Sequence, residues 1–565
     1  MKILSALLST TLLLAITSHA TTVDLSVVNQ IKNQAFKHSQ IMNYLHHLAD
    51  ENGPRLAGSP AYKRSADWAV ETLQQAGIKD ARLEPFGEFG RSWSWSSISV
   101  QMVKPQQTTL HGLPLAWSRG TKGTVEGSVV YAPLWPNIDS PNEYDLTQLV
   151  QRIEAYKKQY AGQLKGKFVL LTGERPIDVT AQPEITRWPS SELESMLSAR
   201  PPELTDYNQW PLLTLPSDTY ARWEMYEKIP AAIQDDYWHR KMVITDRLIA
   251  FFNQEQVGAI IKTSSEGNGG VIFAENFGSW LSHAPKAPPA VQLMPEHYNR
   301  LRRLVERDTQ VTLAINVEAS YLKDQVQGVN VIADLPGHSK PQEIVMMGAH
   351  LDSWHTGTGA TDNGAGVAVV MEALRILKAL DLKLDRTVRI GLWDAEEQNL
   401  GGSRGYVRNH LGSPITMKLK PDHEKFSVYY NIDTGSGKTR GLFAQGNDRV
   451  LPIFESLLQP FASHGISTIV PRKDWGTDHV AFDAVGLPSF NLLQDQLDYW
   501  SHTHHSNIDT IDHIMAEDLM VSAALLASLV YHSATMDTLM PRAVLPPPLS
   551  KAKQVPQMLR LPMLE

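Results

Sequence analysis

Apolar runs alternate with helical patterns through the C-terminal half of the chain. Short runs rich in branched residues predict strands at 330–335, 343–350, 387–394 and 426–433. Between the second and third of these runs, apolar residues recur at helical spacing over 367–377. This alternation predicts an α/β fold in which a mixed, mainly parallel sheet is buried between helices on both faces.

Two earlier parts of the chain have different patterns. Residues 29–86 show helical periodicity, interrupted by a loop, GPRLAGSP, at 53–60. From about 112 to 317 the pattern changes to short β-rich runs separated by Gly and Pro, which predicts an inserted β-rich domain. Within that segment, residues 174–245 have weak periodicity, and the sequence assigns them no role.

The two ends of the chain differ from the middle in composition. Residues 1–20 place Lys2 before an apolar run and finish with Ser18 and Ala20, the pattern of a cleaved export signal. We therefore expect a periplasmic or secreted protein. The Pro-rich C-terminal end predicts an extended tail. The predicted organisation is a signal peptide at 1–20, the first part of the main domain at 21–111, the inserted domain at 112–317, the main part at 318–540 and the tail at 541–565.

Composition narrows the classes of partner and of chemistry. The chain has 565 residues, 42% hydrophobic and 20% charged, which is typical of a folded protein with more than one domain. A net charge of -8 argues against nucleic acid and anionic membrane surfaces as partners. No stretch after the signal approaches the roughly 20 apolar residues that span a bilayer. The sequence contains no cysteine, so a metal site must use His, Asp or Glu.

Histidine and carboxylate residues follow three of the predicted strands. The strand at 343–350 ends in His350, the next predicted strand leads into Glu396 and Glu397, and the last ends in Asp433. In open α/β sheets, ligands bind at the carboxyl ends of the strands. The sequence therefore predicts that these side chains lie at one edge of the sheet.

Two further segments add side chains of the same kinds. Asp362, in TDNGAG, is placed as the N-cap of the following helix, and HTHHSNIDT at 502–510 supplies several histidines. A buried carboxylate cluster must be neutralised by protons or by cations, and neighbouring imidazoles favour cations. Two histidines and three carboxylates suit two zinc ions roughly 3.5 to 4 Å apart that share one carboxylate. A sixth group, a free carboxylate, can then take a proton from the metal-activated water.

These motifs resemble a known family. GAHLDSW, TDNGAG, DAEEQNLGGS, NIDTGSG and HHSNIDT occur in that order after GPRLAGSPAYKRSADWAVETLQQAGI, and together they resemble the co-catalytic zinc peptidases of family M28. The inserted segment is similar to the protease-associated domain of many members. GRSWSW at 90–95 and PLAWSRGTKG at 114–123 resemble the carboxypeptidase Q-like branch, also called plasma glutamate carboxypeptidase. The resemblance implies a zinc-exopeptidase fold with an inserted protease-associated domain.

The resemblance also implies a role for each residue. His350 and Asp433 would bind one zinc ion, Glu397 and His505 the other, Asp362 would bridge them, and Glu396 would be the general base. Because neighbours just past a strand end can point apart, adjacent glutamates can hold two different roles.

Four other residues are expected around the metal ions. Asp352 is expected to fix the imidazole of His350. His504 competes with His505 as ligand, but the family ligand precedes an Asp-Thr pair by four positions, which favours His505; His504 is then a pocket residue. Asp478 and His479 match a recurring element near the family's active site. They are expected to have a structural role or to contact the metal ligands without binding metal themselves.

The resulting hypothesis is an exported di-zinc exopeptidase that acts on small peptides or dipeptides. It would be an aminopeptidase, a carboxypeptidase or a dipeptidase, since the sequence does not show which terminus is read. One alternative is a glutaminyl cyclase-like acyltransferase, which uses a single zinc on the same fold. A second is a receptor-like protein that only binds. The sequence leaves the oligomeric state open, although a homodimer is common among relatives.

Overall fold

The computed structural model describes residues 22–135, 144–177, 185–201, 214–216, 219–264, 266–267 and 269–549. The predicted export signal at 1–20 and residues 550–565 of the predicted tail lie outside the described residues.

The helices are distributed along the whole described chain. In order they are α1 Leu25–Lys37, α2 Ile41–Leu45, α3 Pro60–Gln75, α4 Leu146–Tyr160, α5 Ser190–Met196, α6 Thr219–Glu227, α7 Ala231–Glu255, α8 Pro295–Val305, α9 Ala365–Ala379, α10 Gly401–His410, α11 Pro421–Lys425, α12 Leu451–Leu458, α13 His479–Asp483 and α14 Ala516–Thr535.

The strands form one continuous sheet. In chain order they are β1 Arg82–Lys104, β2 Thr108–Leu110, β3 Gly112–Pro114, β4 Val125–Tyr131, β5 Phe168–Leu170, β6 Ala259–Lys262, β7 Ala290–Leu293, β8 Thr312–Leu335, β9 Lys340–His350, β10 Arg386–Trp393, β11 Phe426–Asn431, β12 Thr439–Phe443, β13 Thr468–Val470 and β14 Ser489–Gln494. Across the sheet the order is β13-β12-β14-β11-β9-β10-β8-β4-β5-β6-β7-β3, and β1 pairs with β8 and β2.

The centre of the sheet has the predicted parallel arrangement. β9 pairs in parallel with β10 on one side and β11 on the other, and β11 pairs in parallel with β14. β8 and β12 add antiparallel pairs. The mixed, mainly parallel sheet predicted from the sequence is therefore confirmed.

Helices cover both faces of this part of the sheet. On one face, α1, α3, α9 and α14 pack their apolar residues against β8, β9 and β10 in the largest core cluster. On the other face, α10 and α13 pack around Trp393, Tyr429 and Phe482. Since both faces are buried, the central strands are apolar throughout rather than alternating.

A long two-stranded ribbon connects this part of the molecule to the inserted segment. β1 and β8 pair antiparallel from Arg82↔Ile332 to Lys104↔Thr312. The first part of β8 also pairs with β4, while its last part pairs with β10. The chain thus leaves the main part along β1 and returns to it along β8.

The inserted segment contains helices as well as the strands that its pattern predicts. β4, β5, β6 and β7 pair in parallel in that order, and β3 closes the edge. α4 and α7 pack together on this end of the sheet. The short Gly- and Pro-separated runs did not predict α7, which has 25 residues.

Contrary to the expectation from the sequence, one helix among the described residues is long and apolar enough to cross a membrane by length and composition alone. It is α14, and 83% of its most apolar window is buried inside the protein, where it packs on α1 and α9. This burial is what a core helix of the domain shows.

Candidate metal centre

Three neighbouring strands bring predicted site residues to one edge of the sheet. His350 is the last residue of β9, between β10 and β11. Glu396 and Glu397 lie in the turn after β10, and Asp433 follows the end of β11. Because β9, β10 and β11 are parallel, these ends lie side by side.

Two loops complete the arrangement. Asp362 lies in the turn Ala360–Gly364, immediately before α9, and His505 lies in the loop after Tyr499–Thr503. Both side chains face the strand ends, because their carboxylate and imidazole atoms contact the residues placed there.

Asp362 lies between two histidines. Its Oδ1 is 3.2 Å from His350 Nε2, and its Oδ2 is 3.4 Å from His505 Nε2. On one side Asp433 Oδ1 is also 3.2 Å from His350 Nε2. On the other side Glu397 Oε2 is 2.9 Å from His505 Nε2. The five residues therefore form two three-residue donor sets that share Asp362.

The donor atoms fit divalent cations. Asp362 Oδ2 and Glu397 Oε1 are buried and have no hydrogen-bond partner among the described residues. A buried carboxylate oxygen without a partner is costly, and a cation would remove that cost. Ligand atoms of His350, Asp362 and Asp433 lie within 4.8 Å of one another. Imidazole and carboxylate together are donors that zinc accepts.

The electrostatic environment of the two histidines also favours a bound cation. Burial lowers the pKa of His350, but Asp433 and Glu396 raise it well above its usual value. Burial also lowers the pKa of His505, and Glu397 again raises it well above the usual value. The carboxylates thus stabilise positive charge at both imidazoles, and a divalent cation is another source of such charge.

The two adjacent glutamates face different sides of the site. Asp352 Oδ1 accepts a hydrogen bond from the Glu396 amide at 3.1 Å, and Asp352 Oδ2 is 3.4 Å from the Glu397 amide. Glu397 pairs with His505, whereas Glu396 forms no ion pair with either predicted histidine ligand in the described chain. The electrostatic neighbours of Glu396 are instead His350 and Asp433.

Burial changes the protonation of both glutamates. It raises the pKa of Glu396 well above its usual value, although His350 opposes this. It raises the pKa of Glu397 to about 8, against the opposing effect of His505. In this environment a negative charge on either side chain needs a positive partner.

The structure corrects the atom through which Asp352 acts. We expected its side chain to fix His350, but His350 Nδ1 donates to the backbone carbonyl of Asp352 at 3.0 Å. The Asp352 carboxylate is 3.6 Å from Nδ1, too long for a hydrogen bond, because it is directed at the two glutamate amides. Nδ1 therefore carries a proton, and Nε2 faces the carboxylates. Asp352 positions other site residues and does not itself face the donor sets.

The structure also corrects the capping role of Asp362. α9 begins at Ala365, its N-cap is Gly364, and no side chain caps it at that residue. The Asn363 side chain accepts from the Gly366 amide at 2.9 Å instead. Asp362 is not the N-cap because its carboxylate is turned toward the two histidines.

Asp509 holds the turn that carries Asp362. Its Oδ1 accepts from the Thr361 amide at 2.6 Å and from the Thr361 hydroxyl at 2.8 Å, and its Oδ2 accepts from the Asp362 amide at 3.2 Å. Burial and the charge of Asp362 together raise the pKa of Asp509 to about 7. In the sequence Asp509 is the Asp of the Asp-Thr pair that marked His505 as the ligand, and it was given no role of its own. Its position four residues after that ligand could have indicated one.

Arg55 lies beneath the same loops and is fully buried. Its guanidinium donates to the carbonyls of Leu351 at 2.7 Å, Gly359 at 2.8 Å, Thr358 at 2.9 Å and Leu48 at 3.1 Å. Burial lowers its pKa to about 10, which Asp509 and Asp352 oppose. The loop GPRLAGSP thus supplies a cation that fixes the loops after β9, a role that the sequence did not show.

Thr477 contacts Asp433, whereas its neighbours Asp478 and His479, which were predicted near the site, do not make this contact. The Thr477 hydroxyl donates to Asp433 Oδ2 at 2.5 Å. Asp478 is buried, and burial raises its pKa to about 8, against the effect of His350. His479 Nε2 is 3.2 Å from the Asp474 carbonyl. The contact with the predicted ligand is therefore made by Thr477 and not by Asp478 or His479.

His504 lies against the site but pairs differently from His505. The two rings stack with centroids 3.6 Å apart. Burial and the charge of His505 lower the pKa of His504 to about 3, so its imidazole is neutral. Ligand atoms of Asp362, His504 and His505 lie within 4.8 Å of one another. His505, which the spacing to Asp509 favours as the ligand, makes the contact with Glu397.

A carboxylate of the inserted segment also reaches the site. Glu275 Oε1 is 2.8 Å from His505 Nδ1. Glu275 lies in AENFGSW, which carries no metal-binding pattern, so the local sequence could not indicate this contact.

A cavity of about 1210 Å³ opens beside the donor sets. Glu397, Gln398 and Arg404 line it from the main part of the chain. Residues of the inserted segment line the opposite side, including Glu275 and Trp280. The site is therefore reached through a space that both parts of the chain enclose.

Comparison with known proteins gives consistent matches. The profile of peptidase family M28 matches residues 330–530. Carboxypeptidase Q of Bos taurus is 32% identical over 312 residues, which cover 54% of this chain and 63% of that protein. The match thus spans slightly less than two thirds of the bovine relative. Carboxypeptidase Q of Homo sapiens is 24% identical over 526 residues, 92% of this chain and 89% of that protein.

The fold has a match among solved structures. A peptidase M28 precursor from Shewanella amazonensis superimposes with a TM-score of 0.63 at 23% sequence identity, over 92% of this chain and 98% of that chain. At this identity the likeness concerns the fold. Residues 330–530 contain the whole of β9, β10 and β11 and all five predicted ligands, His350, Asp362, Glu397, Asp433 and His505. The region that matches peptidase family M28 is thus the part of the chain that carries the candidate metal centre.

Proposed function

We propose that this protein is an exported exopeptidase that uses two zinc ions to hydrolyse the peptide bond next to a free terminus of small peptides. The observation that carries the proposal is the position of Asp362. One of its oxygens faces His350 and the other faces His505, and each histidine also contacts a second carboxylate. A shared carboxylate between two such donor sets is the arrangement expected of a two-metal hydrolase.

Each donor set would hold one ion. His350, Asp362 and Asp433 would bind the first, and Asp362, Glu397 and His505 the second. Zinc bound there would polarise the scissile carbonyl and lower the pKa of a bound water to about 7. The second set is what separates this proposal from a single-zinc acyltransferase.

Glu396 would move the proton. It lies next to Glu397, near His350 and Asp433, yet it forms no ion pair with either histidine ligand in the described chain. Its carboxylate would accept a proton from the attacking water and deliver it to the leaving amine. Asp352 would keep the Glu396 backbone in place through the hydrogen bond to its amide.

Peptides are the substrates that the cavity and the relatives support. The cavity of about 1210 Å³ has room for a peptide beside Glu397. The relatives in cattle and human are carboxypeptidases by name, and a carboxypeptidase is an exopeptidase. Export rests on the pattern of residues 1–20. A panel of dipeptides blocked at either terminus would show which end is read.

The proposal is tested by Glu396→Gln. The variant should keep two zinc ions per chain and lose at least about 100-fold in kcat on dipeptide or aminoacyl substrates, because the proton acceptor is removed and the donor sets are not. Chelation should abolish wild-type activity, and added zinc should restore it.

A matched control is Glu71→Gln, which removes an exposed carboxylate of α3 that lies outside the donor sets and does not line the cavity. It should turn over peptides at the wild-type rate. Near-normal turnover in Glu396→Gln would contradict the role of Glu396. One zinc ion per chain in the wild type would instead favour the single-zinc acyltransferase.

A further inference from the structure

A loop of the inserted segment pairs with the loop that carries His505. The Ala274 amide donates to the His505 carbonyl at 3.1 Å, and the Asn507 amide donates to the Ile272 carbonyl at 3.1 Å. Phe273 and Ser506 form an antiparallel bridge between the two loops. The Asn507 side chain also accepts from the Ile272 amide at 2.6 Å. The backbone around His505 is therefore held by the inserted segment.

Glu275 follows directly after this pairing and contacts the imidazole. Its Oε1 is 2.8 Å from His505 Nδ1, while Nε2 of the same ring faces Glu397 and Asp362. A partner on one ring nitrogen fixes the tautomer and the ring orientation for the other. An anionic partner also makes the imidazole a stronger metal ligand.

The Glu275 backbone is itself fixed. Its carbonyl accepts from the Ala116 amide at 3.0 Å, and the preceding Phe273 carbonyl accepts from the Gln292 side chain at 2.9 Å. Both partners belong to the inserted segment. The carboxylate is thus presented to His505 from a backbone that is anchored elsewhere.

The two histidines are oriented in different ways. His350 Nδ1 donates to the carbonyl of Asp352, two residues further along the same loop. His505 Nδ1 is bound by a carboxylate that comes from a distant part of the chain. A change at Glu275 should therefore affect one histidine and spare the other.

We propose that Glu275 is a positioning residue that acts through His505, so that the inserted segment sets the zinc affinity of the Asp362–Glu397–His505 donor set. The inference rests on the proposed two-zinc centre and adds to it a dependence on the inserted segment. Glu275 is not itself a ligand, because its contact is with the ring nitrogen that faces away from the donor set.

The test measures zinc affinity in the full chain, with zinc alone as the probe. Wild type, Glu275→Ala and Glu275→Gln are equilibrated in zinc–chelator buffers, and bound zinc per chain is determined by elemental analysis. Loss of such a partner weakens metal binding by about 10- to 100-fold. Because 55% of the Glu275 side chain is accessible, water can partly replace it, and we expect about tenfold weakening of one site in Glu275→Ala. Glu275→Gln should fall between Ala and wild type.

Glu266→Gln is the matched control. Glu266 lies on the same segment and interacts electrostatically with Glu275 and His505, but its side chain makes no hydrogen bond to His505. It loses the same charge without losing the contact, so both zinc affinities should stay within about twofold of wild type. The Tm of each metal-free variant should equal that of the wild type, since the backbone pairing remains.

The outcomes separate the two proposals. Two zinc ions bound as tightly in Glu275→Ala as in wild type would overturn the role of Glu275 and leave the proposed function standing. Equal weakening of both sites, together with a lower metal-free Tm, would show a merely structural role and would also overturn it. Fewer than two zinc ions in the wild type would overturn the two-zinc centre and this inference together.

Discussion

At the residue scale, the buried charges near the sheet edge stabilise one another. Asp352, Asp362 and Asp509 all lie close to Arg55, whose guanidinium is held by four backbone carbonyls. A buried arginine with this many acceptors fixes loop geometry as well as charge, because one guanidinium ties four backbone carbonyls together. The loops that carry the donor sets are thus built around one cation of the N-terminal part.

Arg55→Met should therefore destabilise the protein. It keeps an apolar stem but leaves four carbonyls without their donor and removes a positive charge next to Asp509, at an expected cost on the order of 3 kcal/mol or more. Scanning calorimetry of the metal-free protein should show a Tm lower by several degrees. Arg55→Lys keeps the positive charge but lacks the several donors of the guanidinium. Its Tm should lie between those of Arg55→Met and the wild type. An unchanged Tm in Arg55→Met would show that the loops do not depend on these bonds.

Residue roles that depend on chain-distant contacts could not be predicted from the sequence. The motif order placed His350, Asp362, Glu397, Asp433 and His505 in advance, and the structure brings all five together. Glu275 and Arg55 reach the site from other segments, and no spacing connects them with it. The sequence assigned no role to Thr477, and its bond to Asp433 became visible only in the structure.

At the element scale, the sheet of the main part follows from its apolar runs. The four predicted strands became the end of β8, then β9, β10 and β11, because strands buried on both faces must be apolar along their whole length. The long ribbon of β1 and β8 was not predicted, since several register shifts interrupt its alternation.

Helix α7 shows why the inserted segment was harder to interpret. Its buried residues include Tyr237, Arg240 and Asp246 as well as aliphatic side chains. Polar residues at buried positions weaken the apolar periodicity on which a helix prediction depends. Tertiary contacts, and not helix propensity alone, therefore determine where these side chains lie.

Asp246 on α7 should make stability depend on pH. Burial raises its pKa to about 7 in the folded chain, although Arg91 opposes this, whereas an unfolded Asp titrates near its usual value of 3.8. The folded protein binds the proton more tightly than the unfolded chain does. The contribution of Asp246 to the free energy of unfolding is therefore greatest at low pH and is lost as the pH rises from about 4 through 7. Asp246→Asn cannot ionise and should avoid this loss.

The Tm of Asp246→Asn minus the Tm of the wild type should thus increase from pH 5 to pH 8. Calorimetric scans across that range measure it, with exposed Asp308→Asn as the control that should show no trend. A difference that shrinks with rising pH would contradict the sign of the shift.

At the scale of the whole molecule, the main part and the inserted segment meet around the cavity. Arg404 of α10 pairs with Asp235 of α7, and Arg472 pairs with Glu227 of α6. Glu275 adds the contact with His505. The donor sets are therefore enclosed by the two parts of the chain, and neither part alone holds every residue that surrounds them.

The proposed metal centre requires that this chain binds two zinc ions that share Asp362. Crystals of the zinc-loaded protein would show this by anomalous diffraction at the zinc edge. We expect two peaks, one between His350 and Asp433 and the other between Glu397 and His505, with Asp362 beside both. A single peak, or peaks away from Asp362, would contradict it.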